Sequence, residues 1–219
     1  VIAKIKNNSV KKVLKELGNL SKKNKEKYEE FYIQYGIALK EGLYQDYENR
    51  ETLLELVRFR TSKSDEFVSL EKYVSQMKKD QKSIFYISGE NYDTIRRSPL
   101  LEVCNKKDIE VLIMDNEIDE FVFSTVTKYK EFSFKSINHA DALEELHSKE
   151  EKIKEEKVTV EPLLKKIKVV LKGKVKDVLV SKRLTDSPSC IVSDSTDPSA
   201  QMQKIFKQMG QTNMPESKP

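Results

Sequence analysis

Residues 1–60 carry apolar side chains at the three- and four-residue spacing that is typical of amphipathic helices. Gly18 predicts the end of the first helix, and Asn24 predicts the start of the second. Either Asp46 or Asn49 can start the third. The predicted core positions are Val10, Val13, Leu14, Leu17, Tyr28, Phe31, Tyr35, Ala38, Leu39, Leu53, Leu54, Leu56 and Val57. We therefore predict one helical layer, with the aromatic side chains of the second helix in its core.

Beyond this layer the pattern changes to that of buried strands. Residues 83–88 (SIFYIS) and 110–114 (EVLIM) are nearly continuous apolar runs, and about twenty residues of helical pattern separate them. Helical pattern returns over residues 116–128, and residues 131–135 alternate between apolar and polar. Two buried strands joined through a helix form a parallel βαβ unit. We predict a small αβα sandwich over residues 61–139.

The chain then passes through a charged connector into a second predicted unit. Residues 140–157 are rich in charge and poor in large apolar residues, which indicates a partly helical connector. A helical stripe follows and ends at Gly173. Residues 175–192 contain two apolar runs on either side of a polar turn, Asp186-Ser187-Pro188, so we predict a β-hairpin. The predicted fold class is thus α/β and α+β, with a second α+β unit over residues 158–219.

An amphipathic helix is predicted after this hairpin. Asp197 is suited to the N-cap, Pro198 to the first helical position and Gly210 to the end. The apolar stripe of this helix consists of Met202, Ile205, Phe206 and Met209. Burying each such side chain is worth about 1.5–3 kcal/mol, so the stripe must pack on something. The pattern leaves open whether it covers the hairpin of its own domain or binds another protein.

Composition and charge favour a reduced, cytoplasmic protein. Charged residues make up 35% of the chain and apolar residues 37%, and no apolar run approaches the ~20 residues of a membrane span. Cys104 and Cys190 lie far apart inside apolar runs, which predicts reduced, buried thiols. The net charge of +4 is divided into alternating blocks of sign, which indicates solvated helix faces and disfavours a nucleic-acid groove. The chain begins and ends abruptly, as a fragment would.

No pattern of an active site or a metal site stands out. His139 and His147 belong to no zinc-binding pattern, and Cys104 has no histidine near it in the sequence. The first predicted sandwich strand is followed by a single glycine, Gly89, so a Rossmann cofactor is not expected, and no GxxxxGK[ST] phosphate loop occurs. We predict no catalytic, cofactor-binding or metal-binding residue for this chain.

Six stretches of the chain, in order, are specific enough to carry a family resemblance. They are KEGLYQDYENRETLLELVRF (40–59), SLEKYVSQMKKDQKSIFYISG (69–89), SPLLE (98–102), IEVLIMDNEIDE (109–120), VKDV with RLTDSP (175–188) and SAQM (199–202). Together they resemble the heat-shock protein 90 family of chaperones, in its bacterial branch. The resemblance implies that residues 1–139 are the later part of the middle domain. It implies that residues 158–219 are the first half of the C-terminal domain, without the dimerisation helices.

The resemblance also implies what the intact protein does. Members of this family act in the stress response, bind unfolded proteins, form homodimers and use ATP with magnesium for a conformational cycle. The ATP-binding domain and the Ser-Arg-Glu motif of the middle domain have no counterpart in this sequence. We therefore expect this chain to hydrolyse no ATP and to associate weakly or not at all.

The family binds partly folded client proteins through its middle and C-terminal domains. Matched by position, the implied client-binding residues are Glu120, Phe121, Ser124, Pro198, Ile205 and Phe206. Phe121 stands where bacterial relatives carry Trp, Ser124 replaces a common Asn, and Pro198 replaces a common Met. The stripe of the last helix adds Met202 and Met209 to the predicted client-binding set.

The leading hypothesis is therefore a client-binding fragment of an ATP-dependent chaperone. The alternative is a structural module that transmits motion between the ATPase and dimerisation domains without a client surface. An enzyme with a site built from dispersed residues and a nucleic-acid binder are further alternatives. A nucleic-acid binder would show an affinity that falls steeply with salt.

Overall fold

The structure, a computed structural model, describes residues 2–143, 146, 161–194, 197–208 and 218. The α-helices are α1 (Ile2–Lys23), α2 (Lys25–Gln45), α3 (Arg50–Leu56), α4 (Leu70–Gln76), α5 (Tyr92–Arg96), α6 (Glu102–Lys106), α7 (Glu117–Thr125), α8 (Glu161–Val170) and α9 (Ala200–Gln208). A 3-10 helix, Pro99–Leu101, precedes α6. The strands are β1 (Arg58–Thr61), β2 (Val68–Ser69), β3 (Ser83–Ser88), β4 (Leu112–Met114), β5 (Lys128–Tyr129) and β6 (Phe132–Ser136).

These strands form one sheet in the order β2-β1-β4-β3-β6-β5. Strand β3 runs parallel to both of its neighbours, with Tyr86 opposite Leu112 of β4 and Ile84 opposite Phe134 of β6. The remaining pairs are antiparallel. The predicted parallel βαβ unit is confirmed. Strands β1, β2 and β5 were not predicted, because two to four residues are too few for a periodic signal.

Both faces of β3 are buried, as its continuous apolar sequence predicts. Ile84 points into a first core, which also contains side chains of α2, α3, α4 and α7. Phe85 and Ile87 belong to a second core, which contains side chains of α5 and α6. Helices therefore cover the sheet on both sides, and the predicted αβα sandwich is confirmed.

The predicted helical layer is present, with two corrections in its details. Asn24 caps α2, accepting from the Lys27 N–H at 3.0 Å, as predicted. Gly18 does not end α1, which continues to Lys23; a glycine inside a helix costs only about 1 kcal/mol relative to alanine. The buried faces of α1 and α2 also differ from the predicted ones, since Val13, Tyr35 and Ala38 are exposed. Tyr32 is buried instead, over Gly36. Tyr32 is fixed there because its hydroxyl donates to the Arg58 carbonyl at 2.8 Å.

The predicted β-hairpin in residues 175–192 is wrong. All of these residues are described, and they carry only an isolated bridge between Lys172 and Val175. Leu179, Val180 and Ile191 are exposed, so the apolar runs have no partner strand and no core to cover. A strand needs a partner strand, and two apolar runs beside a polar turn did not ensure that they pair.

Helix α8 also differs from the expected packing. It ends at Val170, three residues before the predicted end at Gly173. Gly173 has a φ of +83°, a conformation that glycine adopts at low cost. No residue of α8 is fully buried, and Leu164 and Ile167 of its apolar stripe are half-buried. Both cysteines are free thiols, with Cys104 buried and Cys190 half-buried. Among the described residues, no helix combines the length and apolar character that a bilayer crossing requires.

Candidate functional site

The first candidate helix, α7, is fixed at its start by a buried ion pair with α2. The Lys40 ammonium lies 2.8 Å from Asp119 Oδ1, and it donates to Asp119 Oδ2 and Asn116 Oδ1 at 2.9 Å. Only 4% of the Lys40 side chain and 0% of the Asp119 side chain are exposed. Burial raises the pKa of Asp119, and the Lys40 charge opposes that rise. The pair therefore holds the first turn of α7 against α2.

The inward face of α7 decides which of its residues point outward. Val122 and Phe123 are buried in the first core, and the Phe123 ring makes edge contacts with Phe59 and Phe134 at centroid distances of 5.7 and 4.8 Å. The opposite face of the helix carries the three predicted residues Glu120, Phe121 and Ser124. Glu120 and Phe121 are half-buried and Ser124 is exposed.

Two of these outward residues are engaged in hydrogen bonds within the chain. Glu120 Oε1 accepts from the Ser88 hydroxyl at the end of β3. The Asn138 side chain binds the backbone of the same serine. Its Oδ1 accepts from the Ser88 N–H at 3.0 Å, and its Nδ2 donates to the Ser88 carbonyl at 3.1 Å. Desolvation, and then the negative charge of Glu120, raises the pKa of Tyr86 on the same strand. The Ser124 hydroxyl donates to the Phe121 carbonyl at 2.8 Å.

The second candidate helix, α9, begins later than predicted. Ser199 takes the cap position, because its hydroxyl accepts from the Met202 N–H at 3.1 Å and its carbonyl from the Gln203 N–H at 3.0 Å. Pro198 therefore lies before the helix and not in its first turn, and its carbonyl accepts from the Gln203 side chain at 3.1 Å. The prediction that Asp197 is the N-cap is wrong, because Ser199 takes that position. Met209 and Gly210 lie outside the described residues.

The structure brings the two candidate helices together. The Phe206 ring meets the Phe121 ring edge to face, with centroids 6.4 Å apart and planes at 87°. Lys204 forms an ion pair with Glu90 at 2.5 Å. Met202 and Ile205 are each only 8% exposed, whereas Phe121 and Phe206 are half-buried. Phe206 of the predicted stripe thus contacts α7, Met202 and Ile205 are buried on the same helix, and part of two aromatic rings stays accessible there.

Comparison with known proteins places this arrangement in a family. The family model described as Hsp90 protein matches residues 1–218. The chain belongs to the Hsp90 family. Among its relatives, the chaperone protein HtpG of Treponema denticola is 50% identical over 225 residues, which cover 100% of this chain and 35% of that protein. The HtpG proteins of Wolinella succinogenes and Treponema pallidum are each 46% identical and also match 100% of this chain.

A solved structure is also similar to part of this chain. The middle domain of a Plasmodium falciparum putative heat shock protein matches with a TM-score of 0.59 and 36% identity, over 62% of this chain and 57% of that chain. The chain spans 35% of the length of the Treponema denticola relative and 36% of that of the Wolinella succinogenes relative. It is therefore similar to about a third of an Hsp90 protein. The activity of a whole Hsp90 protein is only proposed for this chain.

The sequence patterns did not predict the residues that position α7 and α9. Lys40 is buried, and a lysine is almost never fully buried unless it has a partner, which here is Asp119. Its place between Leu39 and Leu43, on the buried face of α2, was a usable signal. The ion pair of Glu90 with Lys204 had no such signal, because no local pattern links residues so far apart. In the described part of the chain, no three His, Cys, Asp or Glu side chains lie close enough together to hold a metal ion.

Proposed function

We propose that this chain is a client-binding part of an ATP-dependent chaperone. On this proposal it holds non-native proteins at the α7–α9 surface. That surface consists of Glu120, Phe121, Ser124, Pro198, Met202, Ile205, Phe206 and Met209. The relatives named chaperone protein HtpG support the chaperone role. The observation that carries the proposed location is the pair of half-buried rings, Phe121 and Phe206, on adjacent helices.

The chemistry of this surface suits a partner without a fixed sequence. Aromatic rings and methionines contact many different apolar side chains, and they demand little specific hydrogen bonding. Charges at the border, such as Glu90 and Lys204, keep such a surface soluble when no client is bound. Each contact is weak, so an intact dimer with two such surfaces gains affinity through multivalency.

Client binding at this surface includes a movement of α9. We call the arrangement in which α9 lies on α7 the closed arrangement. Met202 and Ile205 are buried in it, so a client reaches them only when α9 leaves α7. The Lys204–Glu90 pair opposes this movement weakly, because both side chains are exposed and such pairs contribute about 0–1 kcal/mol. The closed arrangement therefore protects the stripe from water, and an apolar client segment replaces α7 as its partner.

The intact protein is proposed to work through domains that this chain only partly includes. Residues 1–139 form the later part of the middle domain, 140–157 the connector and 158–219 the first half of the C-terminal domain. The similarity to a middle domain over 62% of the chain supports the presence of a middle-domain part. ATP and magnesium, bound in the cytoplasm by other parts of a homodimer, drive the cycle. This chain itself contributes contacts and no catalytic residue.

One observation favours the alternative of a purely structural module. Met202 and Ile205 are 8% exposed, as core residues would be. In that case α9 stays on α7 and transmits movement between neighbouring domains, and amide hydrogens of residues 202–208 exchange as slowly as those of β3. A binding helix that opens exchanges much faster than β3.

The experiment measures binding of fluorescently labelled, reduced and carboxymethylated α-lactalbumin, a permanently unfolded protein. The variant Ile205→Ser with Phe206→Ser should bind about tenfold or more weakly, since each lost apolar contact is worth on the order of 1 kcal/mol. The matched control, Ile33→Ser with Ile37→Ser, removes two exposed apolar residues of α2 and should bind normally. Unchanged affinity of a folded Ile205→Ser, Phe206→Ser variant removes these residues from the site.

A further inference from the structure

The RLTDSP motif, residues 183–188, makes contacts that the proposed client site does not use. Its arginine, Arg183, is only 6% exposed. The guanidinium Nη1 donates to the Ile137 carbonyl at 2.7 Å, and Nη2 donates to the carbonyls of Ala140, at 2.6 Å, and His139. Burial lowers the pKa of Arg183, but the ordinary value for arginine is so high that the group stays charged at neutral pH.

These three carbonyls lie just beyond the end of β6, where the strand ladder stops. Backbone carbonyls that are buried without a partner are costly, so a loop at this place needs donors from elsewhere. The planar guanidinium carries five N–H donors in a fixed fork and can serve several acceptors at once. A lysine ammonium is a more compact group and does not reproduce this geometry.

The backbone of the same motif surrounds a carboxylate of the sandwich. Glu102, the first residue of α6, accepts from the N–H groups of Thr185 at 2.6 Å, Asp186 at 3.0 Å and Ser187 at 3.1 Å. Successive backbone N–H groups that converge in this way form an anion-binding nest. Hydrogen bonds from Ser187, and then from Thr185 and Asp186, lower the pKa of Glu102 to about 2.

The residues after the motif continue along the same side of the sandwich. The Ser193 N–H donates to the Asn138 carbonyl at 3.0 Å, and the Ala140 N–H donates to the Ser193 carbonyl at 3.0 Å. Cys190 and Val192 pack against the second core. About a dozen residues of the chain therefore contact the sandwich through a buried cation, a backbone nest and two apolar side chains.

We propose that residues 183–194 are a latch that fixes the C-terminal part of the chain to the second core of the sandwich. Arg183 closes one side of the latch on the loop 137–140, and the nest around Glu102 closes the other. Helix α9 begins at Ala200, six residues after the latch ends, so the closed latch limits where α9 can meet α7. Opening the latch releases α9 as well. This role holds whether or not the α7–α9 surface binds clients.

The test is hydrogen exchange of the 219-residue chain, followed by mass spectrometry. Arg183→Met removes the guanidinium that donates to three carbonyls, of which the His139 carbonyl keeps only a long contact of 3.4 Å from the Ala142 N–H. Glu102→Ala removes the acceptor of the nest. Each should speed the exchange of residues 183–194 about tenfold, because loss of a buried or charged hydrogen-bond partner shifts a local opening equilibrium by at least that factor. Exchange of β3, residues 83–88, should stay unchanged. The matched controls are Arg97→Met and Glu131→Ala, since both side chains are exposed outside the latch.

A second measurement uses the cysteine that lies within the latch. Alkylation of Cys190 should be about tenfold faster in both latch variants, whereas Cys104, buried in the second core, should not react. Glu102 lies at the surface, so its alanine variant folds even if Arg183→Met does not. Normal exchange and alkylation in Glu102→Ala would overturn the proposal. Equal acceleration in residues 83–88 would also overturn it, because the contacts would then be ordinary core contacts.

Discussion

The Phe206 ring lies edge-on to the Phe121 ring, with an interplanar angle of 87° and a centroid separation of 6.4 Å. This pair joins α9 to α7, and it joins the two stretches that family resemblance assigns to client binding. Each ring keeps part of its surface exposed, while Met202 and Ile205 beside Phe206 are buried. A surface that is partly closed in this way can exchange an internal partner for an external one.

The first prediction concerns this aromatic contact. Edge-to-face pairs contribute about 0.5–1.5 kcal/mol beyond the area that they bury. Phe206→Leu should therefore raise the exchange rates of residues 202–208 by a factor of about 2–10, without changing those of α2. A double-mutant cycle with Phe121→Leu isolates the pair. A coupling energy of zero in that cycle would show that the rings contribute only as separate apolar groups.

The second prediction concerns the buried ion pair that anchors α7. Lys40→Met leaves the Asp119 carboxylate buried beside only Asn116, and it should lower the free energy of unfolding by about 3–5 kcal/mol. Urea unfolding followed by circular dichroism measures the change. The matched control is Lys25→Met, which removes an exposed lysine at the start of α2 and should cost less than about 1 kcal/mol.

The same ion pair supports a third prediction, in which both charges are removed together. Lys40→Met with Asp119→Leu should recover much of the stability lost in Lys40→Met alone, because no unpaired charge remains buried. The Phe59 ring, 5.0 Å from the Lys40 ammonium, can then pack against the methionine side chain. A double variant that is less stable than either single variant would show that the cost of removing one charge does not depend on the presence of the other.

The fourth prediction is a pH dependence that comes from Glu102. The hydrogen bonds of the latch lower its folded pKa to about 2, below the ordinary value of 4.5. A lowered folded pKa gives stability that is present above the unfolded value and is lost as the pH falls through the folded value. The stability difference between the native chain and Glu102→Ala should thus be constant above pH 5 and shrink towards zero between about pH 4.5 and 2.

This difference isolates Glu102 from the other acids of the chain. Hydrogen bonds and charge from lysines also lower the pKa values of Glu90 and Asp108, but these groups titrate alike in both proteins. Urea unfolding at several pH values measures the difference. A difference that persists unchanged at pH 2 would mean that the carboxylate charge of Glu102 does not hold the latch.

The strands and helices that could be predicted are those whose burial is uniform along the sequence. Residues 83–88 are apolar on both faces because both faces of β3 are covered, so the run itself predicts the strand. The buried face of α2 was predicted less well, because Lys40 and Gly36 belong to it. Neither residue type is apolar, and only their partners, Asp119 and the Tyr32 ring, explain their burial.

The arrangement of residues 175–194 could not be predicted from local pattern. The apolar run in VKDVLV indicates a strand, but Val180 and Leu179 are exposed and find no partner strand. Arg183 instead finds its acceptors at residues 137–140, and this contact depends on the end of β6 and not on the neighbours of Arg183. The residues of the α7–α9 surface came from family resemblance and from the apolar stripe of the last helix, and no sequence signal placed α9 on α7.

The most direct test of the α7–α9 surface is photo-crosslinking from within it. The chain is prepared with p-benzoylphenylalanine in place of Phe206 and is irradiated with reduced, carboxymethylated α-lactalbumin. The control carries the same group in place of Ile33, which is exposed on α2 outside the surface. We predict a covalent adduct with the unfolded protein from position 206 and little from position 33. No adduct from position 206, or equal adducts from both positions, would contradict it.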